Sequence, residues 1–398
     1  QEERFTRITH DPAFPAHAIK YCLNAANISI DQLDAIVFYD KPLLKFERLL
    51  ETYYTFAPKG IKSFIKAIPV WLKEKMFLKK IIKDELIKIG NYDRKKLRFT
   101  EHHLSHAASA YYPSGFQSSA ILTIDGVGEW ATASICHGNG NQIKILKELR
   151  FPHSLGLLYS AFTYYLGFKV NSGEYKLMGL APYGNNDERT KKIIELIKTE
   201  LIKIYDDGSI WLNQKYFNYA TGLKMTHNQR WEKLFGIKKR APESELEQIH
   251  CDLGLAIQKV TEEVVIKMAR EAKRLTNANH LCLAGGVALN CVANGILQDE
   301  GIFDHIFIQP ASGDCGGALG AALASYYIEH NQPNVSDDRI DKMHGSYLGP
   351  GVNTGDVERM INKNNASTTH YKDFGDLCKL VAGAINDGLV IGWMQGRM

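Results

Sequence analysis

Ser118-Ser119-Ala120-Ile121-Leu122-Thr123-Ile124-Asp125-Gly126-Val127-Gly128 is the stretch that decides the fold. Its apolar, β-branched run is too short for a helix and stops at an acid and a glycine turn, as a buried strand does. Two more extended runs follow closely, Trp130–His137 and Gln142–Phe151, and the break between them, Gly138-Asn139-Gly140-Asn141, carries hairpin chemistry. The spacing predicts a three-stranded antiparallel meander, Ser118–Asp125 being its first strand, with Asp125 at the first tip.

Downstream the period changes. Ser154–Gly167 reads as a helix closed by glycine. Asn185–Gly222 reads as a helix and a short hairpin, and Lys224–Ser244 as a polar surface connection. Leu246–Leu275 is a long helix with Ile249, Leu253, Ile257, Val260, Val264 and Met268 at helical spacing. His280–Ala284 is a short buried strand that turns through Gly285-Gly286-Val287-Ala288-Leu289-Asn290 into the next helix. Backbone N–H groups at such a turn can approach a phosphate closely, although tight helix–strand packing needs the same glycines. His305–Ile308 is another strand, and Gly316–Tyr327 is a small-residue helix that must pack tightly against something. Meander, helix, then alternating strand and helix is the outline of the second half of a duplicated α/β fold of the ribonuclease-H-like, actin-like type (actin and sugar kinases). The first half lacks its opening hairpin, because the chain starts too late.

Upstream, Pro15–Ala26 reads as a helix and Leu33–Asp40 as a buried strand. The segment of about 42–96 differs in character. Phe46, Leu49, Leu50, Tyr53 and Tyr54 suit an amphipathic helix, followed by Lys59, Lys62, Lys66, Lys73, Lys75, Lys79, Lys80, Lys83 and Lys88 among Ile, Phe, Trp71 and Leu. Two readings stand: a basic surface for a membrane or anionic partner, and, with more weight, a helical insertion whose lysines are solvated and whose apolar side packs on the body.

Glu101-His102-His103-Leu104-Ser105-His106 opens a helix that places His102 and His106 one turn apart on one face. Neutral imidazole is a common ligand for first-row metals. For an isolated HxxxH, histidines that cap a helix or pair with acids are the plainer reading. Asp125 at its strand end and Asp314 in Ala311-Ser312-Gly313-Asp314-Cys315-Gly316-Gly317 shift that balance, because two His and two Asp can hold a divalent ion. In Glu174-Tyr175-Lys176-Leu177-Met178-Gly179-Leu180-Ala181-Pro182-Tyr183-Gly184, an exposed ion pair and a loop is the expected structure.

The net charge of +4 carries no strongly basic footprint for nucleic acid. The seven cysteines show no CxxC pair and suit reduced core positions in a cytoplasmic protein. No apolar run is long enough to span a membrane, and no signal peptide is present. The chain begins at Gln1 without a strand or cap and ends at Met398 on a strand and turn, as a fragment would.

Taken together and in order, QEERFTR (1–7), FYDKPLLKFERLLETY (38–53), EHHLSHAASAYYPS (101–114), LTIDGVGEW (122–130), EYKLMGLAPYG (174–184), GGVALN (285–290) and SGDCGGALGAA (312–322) resemble the carbamoyltransferases that include nodulation-factor and antibiotic O-carbamoylating enzymes. Their catalytic domain is similar to the tRNA threonylcarbamoyl-transferase domain. The resemblance implies an actin-like transfer domain over 1–368 and the start of a YrdC-like domain over 369–398. It implies that ATP and carbamoyl phosphate give carbamoyl-adenylate on the second domain, and that the first passes the carbamoyl group to a hydroxyl on a small acceptor, a sugar or natural product. It assigns His102, His106, Asp125 and Asp314 to the metal and Gly285, Gly286 and Asn290 to the nucleotide, with Gly126, Gly128 and Gly313 beside them. Asp125 and Lys176 become the candidate catalytic residues. The metal is iron(II) by this resemblance; the ligand types alone admit manganese or zinc equally. Two other readings are a tRNA threonylcarbamoyl-transferase and a non-catalytic actin-like nucleotide-binding module. Whether the chain forms a homo-oligomer stays open.

Overall fold

A computed structural model describes residues 1–9, 11–71, 77–335 and 341–398. Lys73 and Lys75 of the basic segment lie outside the described residues. The first part holds helices α1 (Glu3–Thr6) and α2 (Ala16–Ala26), strand β1 (Ile36–Phe38), helices α3 (Pro42–Phe56), α4 (Ile61–Trp71) and α5 (Leu78–Ile87), strand β2 (Leu97–Phe99) and helix α6 (His102–Tyr111). The strand expected over Leu33–Asp40 is shorter, and it is half-buried rather than buried. It pairs in parallel with β2, Val37 opposite Arg98. Beneath them Ile82 and Leu86 of α5 pack with Ile30, Tyr92 and Leu97. α5 thus faces a core, whereas Ile61 and Ile65 of α4 are exposed.

The predicted meander is present as β3 (Ser118–Ile124), β4 (Ala131–Asn139) and β5 (Gln142–Arg150), both pairs antiparallel. Helix α7 (Leu155–Tyr165) follows, then α8 (Glu174–Leu180), α9 (Glu188–Leu196), the hairpin β6 (Ile202–Ile204) and β7 (Ile210–Leu212), α10 (Asn228–Phe235) and α11 (Gln248–Thr276). Strand β8 (His280–Ala284) lies parallel to β3, and after α12 (Cys291–Asp299) strand β9 (His305–Ile308) lies parallel to β8. Helices α13 (Gly317–Ala324), α14 (Thr354–Asn364) and α15 (Phe374–Asn386) complete the chain. The result is an α/β fold around a mixed sheet of order β5-β4-β3-β8-β9.

The central strand is buried on both faces, and its period of two divides the core. Ala120, Leu122 and Ile124 join α7 and α11 on one side. Ile121, with Cys136, Cys282 and Ala284, joins Ala107, Ala108 and Tyr111 of α6 on the other. The small-residue helix α13 is what lets α6 sit so close: a Cβ on Gly320 would meet the Ser105 carbonyl oxygen at 1.7 Å.

Three expectations are corrected. Glu174–Gly184 is the helix α8 and a 3-10 turn over Ala181–Tyr183, not a loop. Glu174 makes no pair with Lys176; its carboxylate accepts from Ser160 Oγ at 2.8 Å and from the N–H groups of Asn171 and Gly173. The segment 224–244 is more than a surface connection, because α10 carries Trp231, fully buried against Phe162 and Tyr165. Two aromatics, Trp231 and Phe235, among polar residues gave periodicity too little to detect. All seven cysteines are free, but Cys136 and Cys282 alone are buried; Cys22, Cys291, Cys315 and Cys378 are exposed. They lie at helix ends and outer faces that an apolar neighbourhood in sequence does not reveal. No helix among the described residues is long and apolar enough to cross a membrane.

Candidate metal centre

Helix α6 starts at His102, so both ligand candidates sit in its first two turns. Glu129, buried, caps that start: both carboxylate oxygens accept the His102 N–H at 3.1 Å, and one accepts the Lys41 N–H at 2.8 Å. An acid at the positive end of a helix is favourable, and here it also fixes the entry of β1 into α3. Gly128 gives the turn after Asp125 room against the helix, since a Cβ there would lie 3.0 Å from atoms of His102 and His103. Arg48 of α3 donates to the Gly128 carbonyl at 2.6 Å and ties the same turn from the outside. Burial holds its guanidinium down to about 10, with Glu129 and Asp40 working the other way.

His102, His106, Asp125 and Asp314 each point one ligand atom to a common place, all within 4.8 Å of one another. His102 Nε2 lies 3.0 Å from His106 Nε2, 3.2 Å from Asp125 Oδ2 and 3.5 Å from Asp314 Oδ1. His106 Nε2 lies 3.9 and 3.7 Å from those two oxygens. Both imidazoles are about 1% exposed, while the Asp314 side chain is 60% exposed. Asp314 therefore forms the solvent side of the cluster.

The donor set fits a divalent cation. His102 Nδ1 lies 2.8 Å from Asp40 Oδ1. A neutral His102 then carries its proton on Nδ1 and turns the Nε2 lone pair toward the cluster, the carboxylate–histidine arrangement of metal sites. Burial disfavours the imidazolium of His102, but hydrogen bonding to Asp125 and Asp40 outweighs it and raises the pKa to about 10. Asp125 is held well below the usual carboxylate range: burial opposes this, and His102, His106 and the Gly286 N–H overcome it. The acids thus demand positive charge at this point, which a bound cation supplies with both rings neutral. Tyr39, whose ring lies 5.7 Å from that of His102, has its phenol pushed up by burial and by Asp314, Asp40 and Asp125, so it stays neutral.

His103 is a different group. Its Nδ1 lies 2.7 Å from Thr123 Oγ1 and 3.1 Å from Ser134 Oγ, and burial with the neighbouring histidines pushes its pKa down to about 3. It ties α6 to the sheet.

The proposed nucleotide residues divide. The Gly285 N–H donates to the Ser312 carbonyl at 2.8 Å, and its φ of 89° with an Ile124 carbonyl 2.3 Å from any Cβ makes glycine obligatory. The Gly286 N–H donates to Asp125 Oδ1 at 3.0 Å. Asn290 is buried; its amide donates to Gln258 at 2.9 Å, and its oxygen accepts the Ala293 N–H as the cap of α12. Gly126 and Gly313 have open space where a Cβ would be. Lys176 is exposed on α8 and makes no hydrogen bond or ion pair to the four clustered residues among the described residues.

A family description, carbamoyltransferase N-terminus, matches residues 1–323. The chain belongs to the carbamoyltransferase family. Along its whole length it is 52% identical to the uncharacterised Synechocystis protein sll1178 and 34% identical to nodulation protein NolNO of Sinorhizobium fredii. Over 74% of its length it is 33% identical to nodulation protein NolO of Bradyrhizobium diazoefficiens. It spans 64%, 53% and 50% of those three relatives.

Sequence reasoning missed three residues that this carbamoyltransferase chain commits to the centre. Asp40 and Lys45 are an ion pair behind His102; Asp40 was read only as a strand end, and Lys45 only within the FYDKPLLKFERLLETY stretch. Glu129 carried no signal beyond its place in the LTIDGVGEW stretch. An acid just after a short strand is the pattern that would have found Asp40, since ligands in α/β sheets gather at the carboxyl ends of strands; Lys45 and Glu129 carry no such signal.

Proposed function

We propose that this chain carries the transfer site of an O-carbamoyltransferase, which passes a carbamoyl group from carbamoyl-adenylate to the hydroxyl of a small acceptor. The observation that carries the reading is the convergence of two buried Nε2 atoms on two carboxylates, with Asp40 behind the first ring. The strand order supports an actin-like architecture: an antiparallel meander followed by two parallel strands is one ribonuclease-H-like half. In this reading the parallel pair β1–β2 with α6 belongs to the other half.

In this reading His102, His106, Asp125 and Asp314 hold a divalent cation, iron(II) by family likeness, with manganese or zinc admitted by the same ligands. A cation held by these four residues would supply Lewis-acid charge to a phosphate leaving group. The N–H groups around Gly126 and Gly313 receive the phosphate, because those of Gly285 and Gly286 are already engaged. Asp125 orients the acceptor hydroxyl; as a strongly held carboxylate it is a weak base, so its work is placement. The acceptor oxygen bonds to the carbamoyl carbon, the bond from that carbon to the phosphate oxygen breaks, and the acceptor proton passes to solvent or to phosphate. Lys176 is the candidate that meets the substrate from α8. ATP and carbamoyl phosphate enter upstream, where the adenylate is made.

The test is elemental analysis of the full-length protein together with AMP release that depends on carbamoyl phosphate and acceptor. His106→Ala should lose both bound metal and turnover while keeping its circular dichroism. Undiminished metal in that variant would remove the centre from the reaction.

A further inference from the structure

The far end of α7 holds a second constellation, which the transfer reading does not use. Asp125 lies at the start of α7, where a Cβ on Gly156 would touch its carbonyl. Ten residues on, at a rise of about 1.5 Å each, the helix ends about 15 Å away. There Tyr164, Phe168, Lys169, Leu223, Lys224 and Lys239 line a cleft of about 460 Å³. That volume is in the range of small-molecule sites.

The charged side chains that line this cleft, Lys169, Lys224 and Lys239, are all cationic. Lys239 lies with Nζ 4.5 Å from the centre of the Tyr164 ring. Arg240 is 8% exposed, with its guanidinium 5.3 Å from the Phe168 ring centre; Nη1 donates to the Ala241 carbonyl at 3.4 Å and the Lys239 ammonium donates to the Arg240 carbonyl at 3.3 Å, while Arg240 Nε is buried without a hydrogen-bond partner. No ion pair reaches Lys169, Lys224, Lys239 or Arg240 among the described residues. Burial lowers the Lys239 pKa, and Arg240 and Lys224 lower it further. The plainer account is that these cations answer the carbonyl end of α7, to which the backbone of Arg240 is tied through Tyr165 at 3.0 Å. A helix end presents about half a charge, which offsets only part of one cation. A buried guanidinium without an acid is costly unless a ligand supplies the missing charge.

We infer that this cleft is a binding site for an organic anion, with a phosphate or carboxylate head taken by Lys224 and Lys239 and an apolar or ring-bearing body lying along Phe168 and Leu223. Lys169 at the rim, and Arg240 behind the lining against Phe168, add to the positive field. The site lies apart from the metal centre, so a ligand there leaves the transfer site free.

Phenyl phosphate, inorganic phosphate and phenol serve as probes in calorimetric titrations of the full-length protein at low salt. Phenyl phosphate should bind saturably, more tightly than inorganic phosphate. Charge-assisted hydrogen bonds at an open site are worth about threefold to tenfold each, so Lys224→Gln/Lys239→Gln should weaken binding by at least about tenfold. Where the double variant loses its cooperative melt, Lys224→Gln alone, at an exposed position, should weaken it about threefold or more. His106→Ala should keep the binding, which separates this site from the metal centre; a loss there would place the phosphate at the metal centre and overturn the inference. Absence of saturable binding, unchanged affinity in the lysine variants, or phenol binding as tightly as phenyl phosphate would each overturn it as well.

Discussion

Replacing Asp40 tests the metal centre without touching a ligand atom. Asp40 Oδ1 takes the Nδ1–H of His102 at 2.8 Å, and Oδ2 pairs with Lys45. In Asp40→Ala nothing fixes the tautomer or the ring, and loss of such a partner weakens metal binding about 10–100-fold, or about 1.4–2.7 kcal/mol. Asp40→Asn is more informative. The amide has one oxygen for two claimants, and the Lys45 ammonium is the stronger donor. The NH₂ group then faces Nδ1 and forces the proton onto Nε2, the atom that must ligate. Asp40→Asn should therefore bind metal no better than Asp40→Ala. Adding Lys45→Met frees the amide oxygen for His102, so Asp40→Asn/Lys45→Met should recover part of the lost affinity. The assay is competition with a chromophoric chelator, with circular dichroism as the check on folding. Metal affinity within twofold of the parent in both single variants, or no recovery in the double, would refute the tautomer argument.

His106→Ala should leave the protein without stoichiometric metal and without acceptor-dependent AMP release, measured by elemental analysis and turnover. Gly320→Ala forces α13 off α6, and overpacking of this kind costs about 1–3 kcal/mol; a thermal midpoint within a degree of the parent would contradict the close contact. Trp231→Ala should destabilise by about 3–5 kcal/mol in urea unfolding, because the whole indole is buried. Glu271 joins β5 to α11: hydrogen bonding from Arg274 and then Lys147, against burial, holds its pKa at about 2. Its folded value lies below its unfolded value, so its contribution is complete above about pH 4.5 and is lost as pH falls toward 2. Glu271→Gln should therefore flatten the stability–pH curve in that window, as read from urea midpoints between pH 2 and 5.

The strands of the mixed sheet were legible because period and turn chemistry agree there: a run such as Ala120–Ile124 can satisfy two buried faces only as a central strand. The four clustered residues were also legible, since HxxxH on a helix and an acid at a glycine turn are short-range patterns. What surrounds them was not. Asp40 reaches His102 across a sequence separation of 62, and Glu129 reaches the start of α6 across 27. No local period encodes either contact. Gly285 was read two ways, for an amide that approaches a phosphate and for close packing; the structure uses that amide internally and needs the glycine for its φ and for the nearby Ile124 carbonyl. A glycine-rich turn announces close approach without saying what approaches.

The position of the centre follows from strand direction. Asp40 follows β1, His102 follows β2, Asp125 follows β3, Gly286 follows β8, and Asp314 stands in the loop after β9. Within each parallel set the strands end at the same edge, where chains leave the sheet and helices begin. The N–H groups freed at that edge are what make its buried acids tolerable: Glu129 takes the first N–H of α6, and Asp125 takes that of Gly286. Once α13 holds α6 against the sheet through Gly320, the two imidazoles have no other direction to face. The packing that buries α6 and the geometry that gathers its histidines on two carboxylates are then one arrangement, and a change that loosens the helix contact should lower metal affinity before it unfolds the chain.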